Sequence, residues 1–165
     1  MTPPAGWTTV PNGDYSEGNN TRIHAWYHVA GSSEPSSYTF TLTGGSGQDT
    51  AGGILDITGA STSAPINASL GQVNGTSSTL VQAPSVTTTV PNALFIYAGL
   101  VNTSATFTPP GLMAEQWDRS TSGTYRVSIE SATQVVTSAG ATGARTAVLS
   151  TSGKSVALSI SITPK

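Results

Sequence analysis

Hydrophobic and polar residues alternate along parts of this chain with the two-residue period of a strand that has one buried face. In residues 22–29 the odd positions are Ile, Ala, Tyr and Val, and the even positions are Arg, His, Trp and His. Residues 38–42 alternate in the same way and are followed by Gly44 and Gly45. We therefore predict two strands here, in or near the same sheet.

Six further stretches have the composition or alternation of strands and are separated by turn residues. Residues 93–101 are nearly all apolar, which predicts a central strand covered on both faces. Residues 144–149 and 156–163 are predicted to form a hairpin around a turn at residues 151–154. The other predicted strands are 53–58, 86–90 and 125–130.

Two longer stretches, 59–81 and 102–110, lack an apolar period, and we predict surface loops there. The composition favours strands throughout, because Thr and Val suit a pleated surface and the 18 glycines supply turns. We predict a single all-β domain over residues 1–165. Its expected form is an antiparallel sandwich of two sheets, jelly-roll-like or immunoglobulin-like, with little or no helix.

Charge and cysteine content exclude several classes of function. Only 8% of the residues are charged, the net charge is −2, and Lys and Arg never cluster, so nucleic acid is not an expected partner. No cysteine is available for a disulfide or a thiolate metal site. No stretch reaches the roughly 20 apolar residues of a membrane span. The first residues lack the pattern of a signal peptide, so we expect either that a signal has been removed or that the protein leaves its cell by another route, such as inside a virus particle.

The residues that could carry chemistry form no recognisable active-site motif. His24 and His28, four residues apart on a strand, would lie about 13 Å apart, too far to bind one metal ion unaided. A Gly-x-Ser-x-Gly elbow is absent, although a hydrolase using either histidine remains an alternative. A glycosidase would need Glu115 paired with Asp118 or Glu130. We predict a protein that is not an enzyme, with no catalytic, cofactor-binding or metal-binding residues.

Aromatic residues offer a different kind of site. The rings of Trp26, Trp117 and Tyr97 are candidates for stacking against a sugar, provided that the fold exposes them. Such a platform would make the domain a carbohydrate-binding module. The alternative for each ring is packing in the core or at its rim.

Several short motifs along the chain resemble a β-sandwich module found in structural proteins of tailed bacteriophages and in some actinobacterial surface proteins. The motifs are Pro4–Thr8, Tyr27, Glu34-Pro35, Tyr38–Phe40, Met113–Asp118 and Gly140–Ala147. The resemblance implies a small sandwich on the outside of a virion, in a capsid decoration or minor tail protein. It transfers no ligand-binding residue.

The resemblance covers nearly the whole chain, so we expect attachment through the module's own surface. We predict a non-enzymatic virion protein, most simply a head decoration protein that stabilises the capsid exterior. Its expected partner is the major capsid protein or another virion lattice protein, and it is a possible homo-oligomer. The alternative is a module of a phage tail or bacterial surface protein, extracellular or on the cell surface, that binds a host glycan or another host surface.

Overall fold

The structure, a computed structural model, describes residues 1–18, 21–42 and 49–165. These residues form ten strands and no helix. The strands are β1 Thr8–Glu17, β2 Thr21–Tyr27, β3 Ile66–Ala83, β4 Thr87–Thr88, β5 Ala93–Val101, β6 Phe107–Thr108, β7 Ala114–Ser120, β8 Ser128–Val136, β9 Gly140–Ala141 and β10 Arg145–Ile162.

The main sheet is antiparallel and has the strand order β3-β10-β5-β8-β7, with β6 paired to the first part of β10. β1 pairs with β2, and β4 pairs with β9, in two smaller antiparallel sheets. The apolar strand β5 lies in the middle of the main sheet. Successive residues of β5 pack into core clusters on opposite faces of that sheet.

The sandwich arises because the two longest strands, β3 and β10, bend together. Register shifts in β10 between Val148 and Ser155 mark the bend. Beyond it β10 pairs with β5, and before it β10 pairs with β6 and the last residues of β3. Buried Val81 and Leu149 from the bent layer share a core cluster with Tyr97 of β5. The fold is therefore all-β, antiparallel and sandwich-like, as predicted.

The opposite face of the main sheet is covered by the β1–β2 hairpin and by residues 51–60. Val10 and Ile23 from the hairpin join Val156 and Leu158 of β10 in a second buried cluster. Full burial of each such side chain stabilises the fold by about 2 kcal/mol. These contacts hold the N-terminal hairpin against the sheet.

The predicted strands at 22–29 and 93–101 are confirmed as β2 and β5. Ile23 is buried, and Ala25 and Tyr27 pack against the core, but Val29 follows the end of β2 and is 39% exposed. The predicted strand at 125–130 starts later, at Ser128, and continues to Val136.

The hairpin predicted around residues 151–154 is wrong. Residues 145–162 form one strand, because both of its halves pair with the equally long β3 instead of with each other. The predicted loop at 59–81 is also wrong, since most of it is β3. Edge strand β3 is rich in Ser, Thr, Gly and Asn, so it lacks the apolar alternation on which the prediction depended.

Other predicted strands are shorter or missing. The stretch 38–42 forms only one bridge, between Thr41 and Thr2, and its predicted end at Gly44 and Gly45 lies outside the described residues. Residues 53–58 pack on the core without pairing. Residues 86–90 contribute only the short β4, and the predicted loop at 102–110 contains the short β6. The sequence pattern predicts none of the strands β1, β7 and β9.

Candidate interaction surfaces

The three rings predicted to stack on sugars lie in different environments. Tyr97 is fully buried, and its hydroxyl donates a hydrogen bond of 3.0 Å to the carbonyl of Val81. Burial raises the pKa of this phenol well above its usual value. The prediction that Tyr97 could contact a glycan is therefore wrong, because its ring is part of the core between the two layers.

Trp117 lies on β7, where its ring is largely occupied by contacts within the protein. The backbone of Gly53 passes so close to the ring that a side chain at position 53 would collide with it. The indole Nε1 of Trp117 is buried and has no hydrogen-bond partner among the described residues. The Trp117 ring therefore packs residues 51–60 against the edge of the main sheet.

Trp26 belongs to a half-buried group of rings, which we call the aromatic cluster. Its members are Trp7, His24, Trp26, His28, Tyr38 and Phe40. The alternation of β2 directs His24 and Trp26 away from the core, as predicted, and His28, the residue after β2, belongs to the same cluster. Trp26 stacks on His24 with centroids 4.9 Å apart and planes 16° apart, and it contacts Phe40 at 5.5 Å.

Trp7 and Glu34 hold the segments around this cluster together. Trp7 contacts Tyr38 and Phe40 edge-on at 5.0 and 5.2 Å. Glu34 accepts hydrogen bonds from the Tyr38 hydroxyl and the Gly31 amide, and both bonds lower the pKa of its carboxyl. The Gly6 carbonyl, 2.9 Å from His28, and secondly Glu34, 3.3 Å away, raise the pKa of the imidazole.

A second polar group lies beside Trp26. Arg22 donates two hydrogen bonds to Asp14, of 2.7 and 2.5 Å, and these lower the pKa of the carboxyl. His24 lies 3.5 Å from the same carboxylate, but burial lowers the pKa of its imidazole. The described residues contain no set of three or more His, Asp or Glu side chains placed to hold a metal ion.

The fold does bring together two of the carboxylates considered for a glycosidase. Asp118 of β7 and Glu130 of β8 are direct cross-strand neighbours. Glu130 is fully buried, and both its carboxyl oxygens, like Oδ1 of Asp118, have no hydrogen-bond partner among the described residues. Burial, followed by repulsion from Glu115 and Asp118, raises the pKa of Glu130 to about 8. No substrate can reach Glu130 in this structure.

One surface property had not been recognised from the sequence. The 58 residues from Ile57 to Ala114 contain no Asp, Glu, Lys, Arg or His, and residues 146–153 contain none either. These two stretches meet in the main sheet, where the last part of β3 pairs with the first part of β10. We call their exposed side chains the uncharged surface. A map of charged positions along the chain would have revealed it.

Apolar side chains project from the uncharged surface. Leu80 of β3 and Val148 of β10 are directly paired, and they remain 53% and 45% exposed. Their neighbours in the ladder, Gln82, Thr146 and Thr108, are polar but uncharged. A partner covering this pair would displace water from apolar side chains without having to desolvate a charge.

Comparisons with protein-family models, curated proteins and solved structures find no match to this chain. The described residues contain no helix with the length and apolar character needed to span a bilayer. The surfaces themselves are therefore the basis for inferring a function.

Proposed function

We propose that this protein is a non-enzymatic structural protein of a virion and that it binds a lattice of capsid proteins through the uncharged surface. The observation that carries the proposal is the exposed pair Leu80 and Val148, which lies among uncharged residues of β3 and β10. The fully buried core of a protein interface is depleted of charged residues, and this surface has the same character. The identity of the partner follows from the resemblance to phage structural proteins.

The fold supports this role because Leu80 and Val148 project from strands that are hydrogen-bonded to each other. Leu80 and Val148 are on neighbouring strands, and the buried residues next to them, Val81 and Leu149, belong to the core. A partner would meet side chains that are already held in place, so little conformational entropy would be lost on binding. A surface of this kind suits repeated attachment to identical lattice sites.

The aromatic cluster supports a second candidate function, glycan binding. Trp26 is partly exposed and stacked on His24, beside the hydrogen-bonding groups of Arg22 and Asp14. A ring flanked by such groups is the usual composition of a sugar site. Of the three predicted rings, Trp26 is the one whose surroundings favour this function.

A binding experiment with matched variants distinguishes the two functions. We expect the protein to saturate undecorated capsids of tailed phages at a fixed number of copies per lattice unit. Replacing Leu80 with Lys should weaken this binding at least about tenfold, or about 1.4 kcal/mol, because the lysine must be desolvated at the interface. The same substitution at Val29, an exposed apolar residue in the N-terminal part, is the control and should leave binding unchanged.

Two results would contradict the proposal for capsid binding. One is an absence of saturable binding to any capsid, and the other is an equal effect of the two lysine substitutions. A glycan array measured with the same proteins tests the second candidate. Selective glycan binding that is lost in Trp26→Ala, without capsid binding, would transfer the function to the aromatic cluster.

A further inference from the structure

Leu112 occupies a turn position that leucine rarely adopts. The amide of Met113 donates a hydrogen bond of 3.1 Å to the carbonyl of Pro110, which closes a four-residue turn. Leu112, the third residue, has a φ of 68°, whereas Gly111 before it is outside the left-handed region. This is the geometry of a type II turn, in which Gly or Asn normally occupies the third position. The backbone of Leu112 is therefore strained, because a residue with a branched side chain rarely adopts a positive φ.

The Leu112 side chain is not buried against the rest of its own chain, so burial does not offset this strain. Leu112 is 92% exposed, the highest value among the large apolar residues that the structure describes as exposed. The combination of a strained backbone with a fully presented apolar side chain indicates an anchor for a partner surface.

An apolar groove lies at the same end of the main sheet. Cross-strand pairing aligns Ile162, Leu94 and Val135 in one row. The other residues that line the groove are Ile57, Ala60 and Pro164, which are apolar, and Thr58, Gly59, Asn92 and Thr163. Val135 is 55% exposed at the outer end of the row. The groove has a volume of about 210 Å³. An apolar cavity that accepts a small hydrocarbon ligand is on the order of 150 Å³, so a leucine side chain fits.

The register between β7 and β8 places Leu112 and the groove at the same end of the main sheet. Ala114, two residues after Leu112, pairs with Thr133, two residues before Val135. Because the strands are antiparallel, both steps lead to the same end of the sheet. A surface with a projecting leucine next to an apolar groove is self-complementary. Two copies related by a twofold axis can each insert Leu112 into the groove of the other, which closes a dimer.

We infer that this protein forms a twofold-symmetric homodimer in which Leu112 of each copy occupies the groove formed by Ile57, Leu94, Val135, Ile162 and Pro164 of the other. The charge distribution agrees with a second copy as the occupant. Every residue lining the groove and every residue of the turn 109–113 is uncharged, so identical surfaces meet without repulsion. A standard interface would cover about 800 Å² per copy, roughly a tenth of the 8604 Å² total.

The dimer is tested by analytical ultracentrifugation of the full chain over a range of concentrations. We expect a monomer–dimer equilibrium for the natural protein. Leu112→Gly should weaken it at least about tenfold. It should not lower the melting temperature of the monomer, because relief of the strained φ offsets the greater freedom that glycine gives the unfolded chain. A substitution that merely damaged the fold would lower that temperature. Val135→Lys should block the groove and weaken the dimer to a similar extent.

Mixing the two variants sharpens the test. Leu112→Gly retains an open groove and Val135→Lys retains a leucine, so the mixture should form a heterodimer with one of the two contacts restored. Leu80→Lys is the control and should dimerise normally, since its site is separate and this inference does not rest on the proposed function. A natural protein that stays monomeric at the highest concentration would overturn the inference, as would a dimer that both variants leave intact.

Discussion

β7 and β3 are the two edges of the same sheet, and they are protected in different ways. β7 is seven residues long, carries Glu115, Asp118 and Arg119, and has a register shift between Glu115 and Trp117. Charges and bulges are the usual means by which an edge strand avoids pairing with another chain. β3 is eighteen residues long and has no charge at all.

Side chains protect β3 instead. Asn12 donates a hydrogen bond of 3.2 Å to the Ser69 carbonyl, and Asn74 donates one of 3.1 Å to the Gln82 carbonyl. Ser78 accepts one of 3.0 Å from the Leu80 amide. These bonds occupy backbone groups that an added strand would need. β3 can therefore lack charged residues without pairing with strands of other molecules. A partner that covers β3 does not have to desolvate a charge.

The largest effect is expected at β7, where Trp117 fastens residues 51–60 to the sheet. Trp117→Ala should lower the free energy of unfolding by about 3 kcal/mol, because it removes the ring that packs against Gly53. Denaturant unfolding measures the change. Gln116→Ala, at the neighbouring exposed position, is the control and should stay within about 0.5 kcal/mol. Equal effects of the two variants would show that Trp117 is not the fastening contact.

A smaller effect is expected on β3. A Cβ at Gly71 would collide with the ring of Tyr15 and come within 2.7 Å of Leu158. Gly71→Ala should therefore cost about 2 kcal/mol, measured in the same unfolding experiment. Gly75→Ala is the matched control on this strand, since only Glu17 lies near, at 3.9 Å. If both substitutions are neutral, β1 does not pack closely on β3.

The third effect, from the buried carboxyl next to β7, differs from the other two because its size depends on the pH. Glu130 has a folded pKa of about 8 against an ordinary value of 4.5. Its contribution to stability is complete below pH 4.5 and is lost as the pH rises towards 8, on the order of 1 kcal/mol per pH unit. Glu130→Gln should remove this dependence and be more stable than the natural protein at pH 8 but not at pH 4.

Unfolding at several pH values tests the Glu130 prediction. Asp56→Asn, which removes an exposed carboxyl that does not contribute to the shift at Glu130, is the control and should preserve the pH dependence. Parallel pH profiles for the natural protein and Glu130→Gln would contradict the assignment of a neutral carboxyl at this position.

A strand could be predicted where its own residues show an apolar run or an alternation of apolar and polar positions. The apolar run of β5 and the alternation of β2 are local patterns, and both strands are present. β3 and β10 could not be predicted as long strands, because their length depends on pairing with each other. The turn-like sequence at residues 151–154 bends β10 without ending it, because β3 pairs with β10 on either side of the bend.

The candidate sites divide in the same way. The sequence does not distinguish Trp26, Trp117 and Tyr97 as candidate sugar-stacking rings, because the burial of Tyr97 and the contact of Trp117 with Gly53 exist only in the folded chain. The cross-strand meeting of Asp118 and Glu130 likewise depends on the pairing of β7 with β8. A residue's own identity carries no information about which strand will lie beside it.

By itself the sequence determined the all-β class, the outward face of β2 with Trp26, the low charge and the absence of cysteine. These properties depend on composition and on the two-residue period of a strand, both of which are local. The tertiary structure alone decided which strands pair, where β3 and β10 bend, that Tyr97 and Glu130 are buried, and that Leu112 and the apolar groove lie at one end of the sheet. Those outcomes depend on contacts between residues far apart in the chain, which periodicity does not encode.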